Sequence, residues 1–440
     1  MTSPPKRQLN PADKRGRIAW AVWDWGSQSF NSIILTFVFT VYLTEAVAAD
    51  SDSGSRDLGI ALAIAGAIVA VLAPVTGQRS DARGRRKLWL GVHSVLVIGC
   101  MAAMFFVQPD PSYLLLGLIL IGAASIFSEF AGVNYNAMLI QVSTRETIGR
   151  VSGFGWAMGY FGGLTGLVVV LFAFVQPDVG LFGVTSDDGM DIRAVAVFCA
   201  VWFAVFAVPL FVYVPEAPAS GDPQRQNILA SYALLGRRIA RMWRDERRTL
   251  WFLGASAIYR DGLAAIFTFA GVIAAGTFGF SSTEVIVFAI AANLAAGIGA
   301  MIGGLLDDRL GPKTVIVSGL TALVLTGTAI VAVPERPMFW AGGLVLASLV
   351  GPIQSASRTF LARITPAGLE GEAFGLYATM GRAVSFTGPL AFSGFIALFG
   401  AQRAGMVGIL LVLVVGLVAI LGVRPPQHPL TAVASTPAPH

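Results

Sequence analysis

Five ionisable residues stand inside long apolar runs: Asp24, Glu129, Arg260, Asp261 and Arg382. A charge among apolar side chains costs about 2.5–3.5 kcal/mol or more, so each is a functional residue by default. Acids and arginines so placed can bind an ion, exchange a proton or pair across helices. Helical spacing enlarges the set. Asp24, Gln28 and Asn31 stand at i, i+4 and i+7, one polar stripe, and Glu129 shares a face with Asn136. Arg260 and Asp261 are adjacent and diverge by about 100°, so each needs a partner on another element. Tyr377 and Ser385 accompany Arg382. Three acids against two arginines leave one negative charge, suited to a proton or an ammonium group. Outside this set, Ser281 and Glu284 have the spacing of a helix capping box.

Other chemistries lack their residues. Cys100 and Cys199 lie apart in apolar runs, His93 stands alone, and His428 and His440 fall in the tail. That excludes a disulfide framework and a metal cluster. There is no Walker spacing, no catalytic nucleophile with a base, and no broad basic surface for nucleic acid. The expectation is a protein that is not an enzyme, has no cofactor and has no nucleic-acid partner.

The elements that hold these residues are membrane spans. The chain is 55% hydrophobic and 12% charged, about half the usual charged fraction of a soluble domain. Its 50 glycines suit helices that pack closely in lipid. About 20 apolar residues cross a bilayer. Twelve such runs lie at 18–47, 58–76, 88–107, 113–139, 150–175, 194–214, 249–277, 283–306, 314–333, 338–360, 372–399 and 404–423. With the N-terminus inside, 24 of the 30 cations fall in inner segments, and the outer loops hold only Arg56, Arg193, Arg336 and Arg403. The bias places both termini in the cytoplasm. The expected division is a basic N-terminus (1–17), a six-helix bundle (18–214), an inner linker (215–248), a second bundle (249–423) and a disordered tail (424–440). The linker carries Ile228, Leu235, Ile239, Met242 and Trp243 on one helical face with arginines opposite, an amphipathic helix for the inner leaflet.

The loop TGQRSDARGRRKLW contains a repeated pattern. Gly77, Asp81, Gly84 and Arg86 return as Gly304, Asp308, Gly311 and Lys313, at a constant offset of 227. Gly149 and Gly153 return as Gly371 and Gly375, at an offset of 222. The first pattern follows the second span of each half and the other opens the fifth. Two parallel six-span repeats are one plan of secondary transporters.

On that loop and repeat, the chain resembles the major facilitator superfamily along nearly its whole length. WAVWDWGSQSFNSIILTFVF and YNAMLIQVSTRETIGRVSGFGWAMGYFGG further resemble the autophagy-related vacuolar amino-acid effluxer-like family and its bacterial relatives. Near Asp24 this chain has Ser27 and Gln28 where that family has an Asn–Ser pair. The resemblance implies an all-α membrane protein of two pseudo-symmetric six-helix bundles. It implies alternating access, with export of small solutes such as amino acids. It also implies a gate in which Asp81, Arg85 and Arg86, and Asp308 with Lys313, contact a helix end in the other half. With no nucleotide-binding domain, a gradient must drive transport, and protons are the expected coupling ion. The expected setting is the inner membrane, as a monomer. Two other readings stand beside this one: a polyspecific drug–proton antiporter, and a non-transporting receptor or scaffold.

Overall fold

A computed structural model describes residues 13–424 except 145, 217–227, 246, 281, 334 and 367–368. The disordered tail expected at 424–440 lies, from residue 425, outside the described residues, as does the N-terminus before residue 13. The first half holds α1 (Lys14–Val47), α2 (Ser51–Arg83), α3 (Arg86–Phe106), α4 (Pro111–Ala137), α5 (Ile148–Val175) and α6 (Asp187–Tyr213). A linker helix, α7 (Ile228–Asp245), leads to α8 (Arg247–Gly276) and α9 (Ser282–Leu310). Then come α10 (Pro312–Ala332), α11 (Arg336–Ile364), α12 (Glu370–Phe399) and α13 (Gln402–Leu421).

Among the described residues, 11 helices are long and apolar enough to cross a membrane. The seventh run of the sequence corresponds to α8, which is not among those 11. Arginines open it and Arg260 and Asp261 interrupt its middle, yet its 30 residues reach about 45 Å, enough to cross. Exposed Ile64, Val95, Ile119, Val205, Ile298 and Val418 give the outer faces their apolar surface.

The interior is built from aromatics, several of which place their polar ends on hydrogen-bond partners. Trp20 stacks on Tyr135 with centroids 4.4 Å apart and donates Nε1–H to its carbonyl. Trp23 donates to Ser94, and Tyr259 bonds Ser357 at 2.6 Å. In the second half Phe252 stacks on Phe360.

Two irregularities position the site. Helix α1 widens into a π-helical stretch at Ser29–Phe37, which shifts the register beyond Gln28. Helix α12 breaks at Ser385–Phe386 into Glu370–Val384 and Thr387–Phe399. Across the halves, α2 packs on α12 and α9 packs on α5. Arg17 Nε donates to the Val142 carbonyl near the start of α1, and Lys313 Nζ to the Leu421 carbonyl at the end of α13. The face carrying these ends is called the terminal face below.

The linker helix is present, with Met242 buried and Ile239 and Trp243 exposed. The side chains of Ile228 and Leu235 lie outside the described residues, as does Ser281 of the capping box. Glu284 reaches Arg336 at 3.4 Å.

Candidate functional site

Between the halves lies a cavity of about 290 Å³. Its wall draws Glu129 and Asn136 from α4, Arg260 and Asp261 from α8, and Arg382 from α12. Five of the eight residues chosen from sequence therefore meet in one space. Glu129 and Arg382 form an ion pair across the halves, both partly exposed. Arg260 and Asp261 take separate partners on α12. The Arg260 guanidinium lies 3.7 Å over the Tyr377 ring, with Nη1 3.5 Å from the Tyr377 carbonyl oxygen. Asp261 Oδ2 accepts from the Thr387 hydroxyl and the Gly388 N–H, each at 2.5 Å. Those donors open the second segment of α12, so Asp261 caps a broken helix at its positive end.

Asp24, Gln28 and Asn31 do not line the cavity. Their stripe turns toward α5 instead. A Cβ at Gly159 would lie 3.2 Å from Asp24 Oδ2, and the carboxylate accepts from Ser27 at 3.2 Å and Gln28 at 3.5 Å. The π-helical stretch places Asn31 in a different register. The cavity gains a further cation, Arg358, which stands two residues before the expected end of the 338–360 run. Arg358 is buried in α11 because that helix continues to Ile364. Its Nε donates to Ser152 Oγ, its Nη2 to the Ser152 carbonyl and its Nη1 to Asn136 Oδ1, at 2.9, 2.6 and 3.1 Å. Trp20 stands 5.0 Å from it. With Asp24 out and Arg358 in, the wall carries three guanidiniums and two carboxylates. The expected negative balance is reversed to one positive charge.

The repeated glycines and aspartates meet crosswise at the terminal face. Asp81 Oδ2 accepts the Glu372 N–H of α12 at 2.9 Å. Asp308 accepts the Gly149 and Arg150 N–H groups of α5 at 2.7 and 3.1 Å. Each carboxylate thus seats on a helix N-terminus in the other half, worth about 0.3–1 kcal/mol from the helix dipole. The glycines allow the approach: a Cβ on Gly77 would stand 1.9 Å from the Gly371 carbonyl oxygen, and one on Gly153 2.3 Å from that of Ala300. Gly304 and Gly375 are also confined, by the Gly149 and Ala73 carbonyl oxygens at 2.6 Å. Gly84 and Gly311 end the loops at φ of 57° and 83°, a conformation that favours glycine.

The cations of the two loops differ. Arg86 Nε binds Asp81 at 2.7 Å and its Nη2 binds Glu370 at 2.6 Å, all buried. Arg85 is exposed. Lys313 takes no part in the Asp308 contact and caps α13 through the Leu421 carbonyl, as Lys87 caps α6 through Phe211 and Val214. Arg363 takes the inner position, 3.2 Å from Asp307 and 3.7 Å from Asp308. Glu370 and Arg363 escaped the sequence reading, although Glu370 stands directly before a repeat glycine.

Comparison with known proteins gives a consistent picture. The family described as vacuole effluxer Atg22 like matches residues 140–427. An uncharacterized MFS-type transporter, YxiO of Bacillus subtilis (strain 168), is 24% identical over 405 residues, covering 91% of this chain and 93% of that protein. Autophagy-related protein 22 of Cryptococcus neoformans var. neoformans serotype D (strain B-3501A) is 27% identical over 291 residues, 61% of this chain and 51% of the fungal protein. Among solved structures, the major facilitator superfamily proton:xylose symporter XylE superposes with a TM-score of 0.71 at 14% identity, covering 92% of this chain and 94% of that one. At that identity the likeness is one of fold.

Proposed function

This chain belongs to the vacuole effluxer Atg22-like family of major facilitator transporters, and we propose that it exports amino acids or closely related metabolites in exchange for protons. It is a multi-pass integral membrane protein and a secondary transporter of small solutes. The finer reading has residues 18–214 and 249–423 rocking as two bundles about the cavity. The terminal face is cytoplasmic, the membrane is the inner membrane and the working unit is a monomer. The observation that carries it is the Glu129–Arg382 pair, which bridges the halves inside a cavity sized for a small solute.

In this reading Asp81, Arg86, Gly77 and Gly84, with Asp308, Gly304 and Gly311, hold the cytoplasmic side shut. Arg85 and Lys313 serve orientation and capping rather than the gate. A proton arriving on Glu129 removes its negative charge, frees Arg382 and loosens one bond between the halves. The latches then yield as the bundles tilt. The positive balance of the cavity weighs against a cationic-drug exporter.

Proteoliposomes with an imposed pH gradient test the reading. Labelled amino acid should move against its gradient, and Glu129→Gln should abolish the pH dependence while the protein still folds. Wild-type kinetics in Glu129→Gln sinks the proton role. Flux of a cationic dye with no amino-acid flux favours a drug antiporter, and no flux of any kind favours a scaffold.

A further inference from the structure

The acids of the cavity are already engaged. Glu129 is held by Arg382, and Asp261 by the opening of the second segment of α12. Arg358 is committed to Ser152 and Asn136. Arg260 is different. No carboxylate pairs with it among the described residues, its Nη1 has only the long contact to the Tyr377 carbonyl, and its Nε–H is buried without an acceptor. Trp156 Nε1–H, in the wall supplied by α5, is also buried without an acceptor. Both orphaned donors belong to residues of a wall with a surplus positive charge, which also holds Val133, Ala257, Ala264 and Phe374 and the polar Gln354 and Ser385.

We propose that the solute is recognised through a carboxylate, held on the Arg260 guanidinium with the Trp156 indole N–H as second donor. A guanidinium presents a planar fork that matches a carboxylate, and the Tyr377 ring beneath it fixes the plane of that fork. The apolar part of the wall, with Val133, Ala257, Ala264 and Phe374, suits an organic body rather than a bare oxyanion. The inference rests on the reading of this cavity as the transport site.

The test measures binding to the purified full-length protein by thermal stabilisation and tryptophan fluorescence. The probes are the common amino acids, their carboxamides, the matching 2-oxo acids, nitrate and tetraphenylphosphonium. At least one amino acid and its 2-oxo acid should protect the protein while the carboxamide does not. Arg260→Gln should weaken that binding roughly tenfold or more through loss of a charge-assisted pair. Arg260→Lys, which keeps the charge but not the fork, should retain part of it and serves as the test if Arg260→Gln does not fold. The proposal is overturned by carboxamides or tetraphenylphosphonium protecting as well as acids, or by nitrate alone protecting. Silence of every carboxylate at millimolar concentration, or unchanged affinity in both Arg260 variants, also overturns it. Carboxylate binding without flux refutes transport and leaves this inference intact. Flux indifferent to the carboxylate does the reverse.

Discussion

Arg358 joins the halves by chemistry that another cation cannot copy. It holds two oxygens of Ser152 on α5 and the amide oxygen of Asn136 on α4 from a buried position on α11. Lysine keeps the charge but has no planar fork, so Arg358→Lys should forfeit at least one of these bonds. The expected loss is about 1.5–3 kcal/mol for each bond forfeited, the contribution of a hydrogen bond to a charged group. It should appear as a lower melting temperature of the purified protein, and an unchanged melting curve would refute the bridging role. Arg358 was hidden in the sequence for a physical reason. It stands two residues before the expected end of the 338–360 run, where a cation reads as an interfacial charge, but the helix runs on to Ile364 and buries that charge against other helices. Glu129, Arg260, Asp261 and Arg382 were legible because apolar residues flank them on both sides. Their partners were not, because partners depend on how helices cross.

At the scale of elements, α2 and α12 cross with almost no space between backbones. Pro74 deepens their dependence. It has no N–H to offer the Ala70 carbonyl, and that oxygen is met instead by the Thr379 hydroxyl of α12 at 2.9 Å. Gly77→Ala should force the crossing apart, because the obstructing atom is the Gly371 backbone and not a movable side chain. Hydrogen–deuterium exchange at the Glu372 amide, now bonded to Asp81, should accelerate by tenfold or more, about 1.4 kcal/mol of lost protection. Gly99→Ala, where nothing stands within 4 Å, should leave that exchange unchanged. The glycine spacing made both repeats legible, since each recurs at a fixed offset. That one repeat lands on the other was not legible, because a linear offset carries no record of which helices touch. The turn of the Asp24 stripe toward α5 was equally hidden, because the stripe presumed a regular α-helix where α1 becomes π-helical.

At the scale of the molecule, the two latches share a face and a plan but not a composition. Across the halves, the one around Asp81 is closed by the buried Arg86–Glu370 pair, whereas the one around Asp308 uses Arg150, 53% exposed, its Arg363 pairing within its own half. An exposed pair contributes roughly 0–1 kcal/mol, so the α5–α9 contact is the one expected to part first. The contacts do not require a continuous chain. Halves 1–216 and 228–440, expressed together, should assemble and co-purify, whereas Asp81→Asn with Asp308→Asn should weaken that recovery. Efficient co-purification of the double variant would show that the latches add little to assembly. Each half carries one motif and one glycine landing, and each motif docks on the landing of the other. Such an arrangement maps onto itself under a half-turn, as the interface of a two-fold homodimer does. A six-helix ancestor bearing one motif and one landing would have been complementary to its own copy, so gene fusion could preserve the pairing without inventing a surface for it.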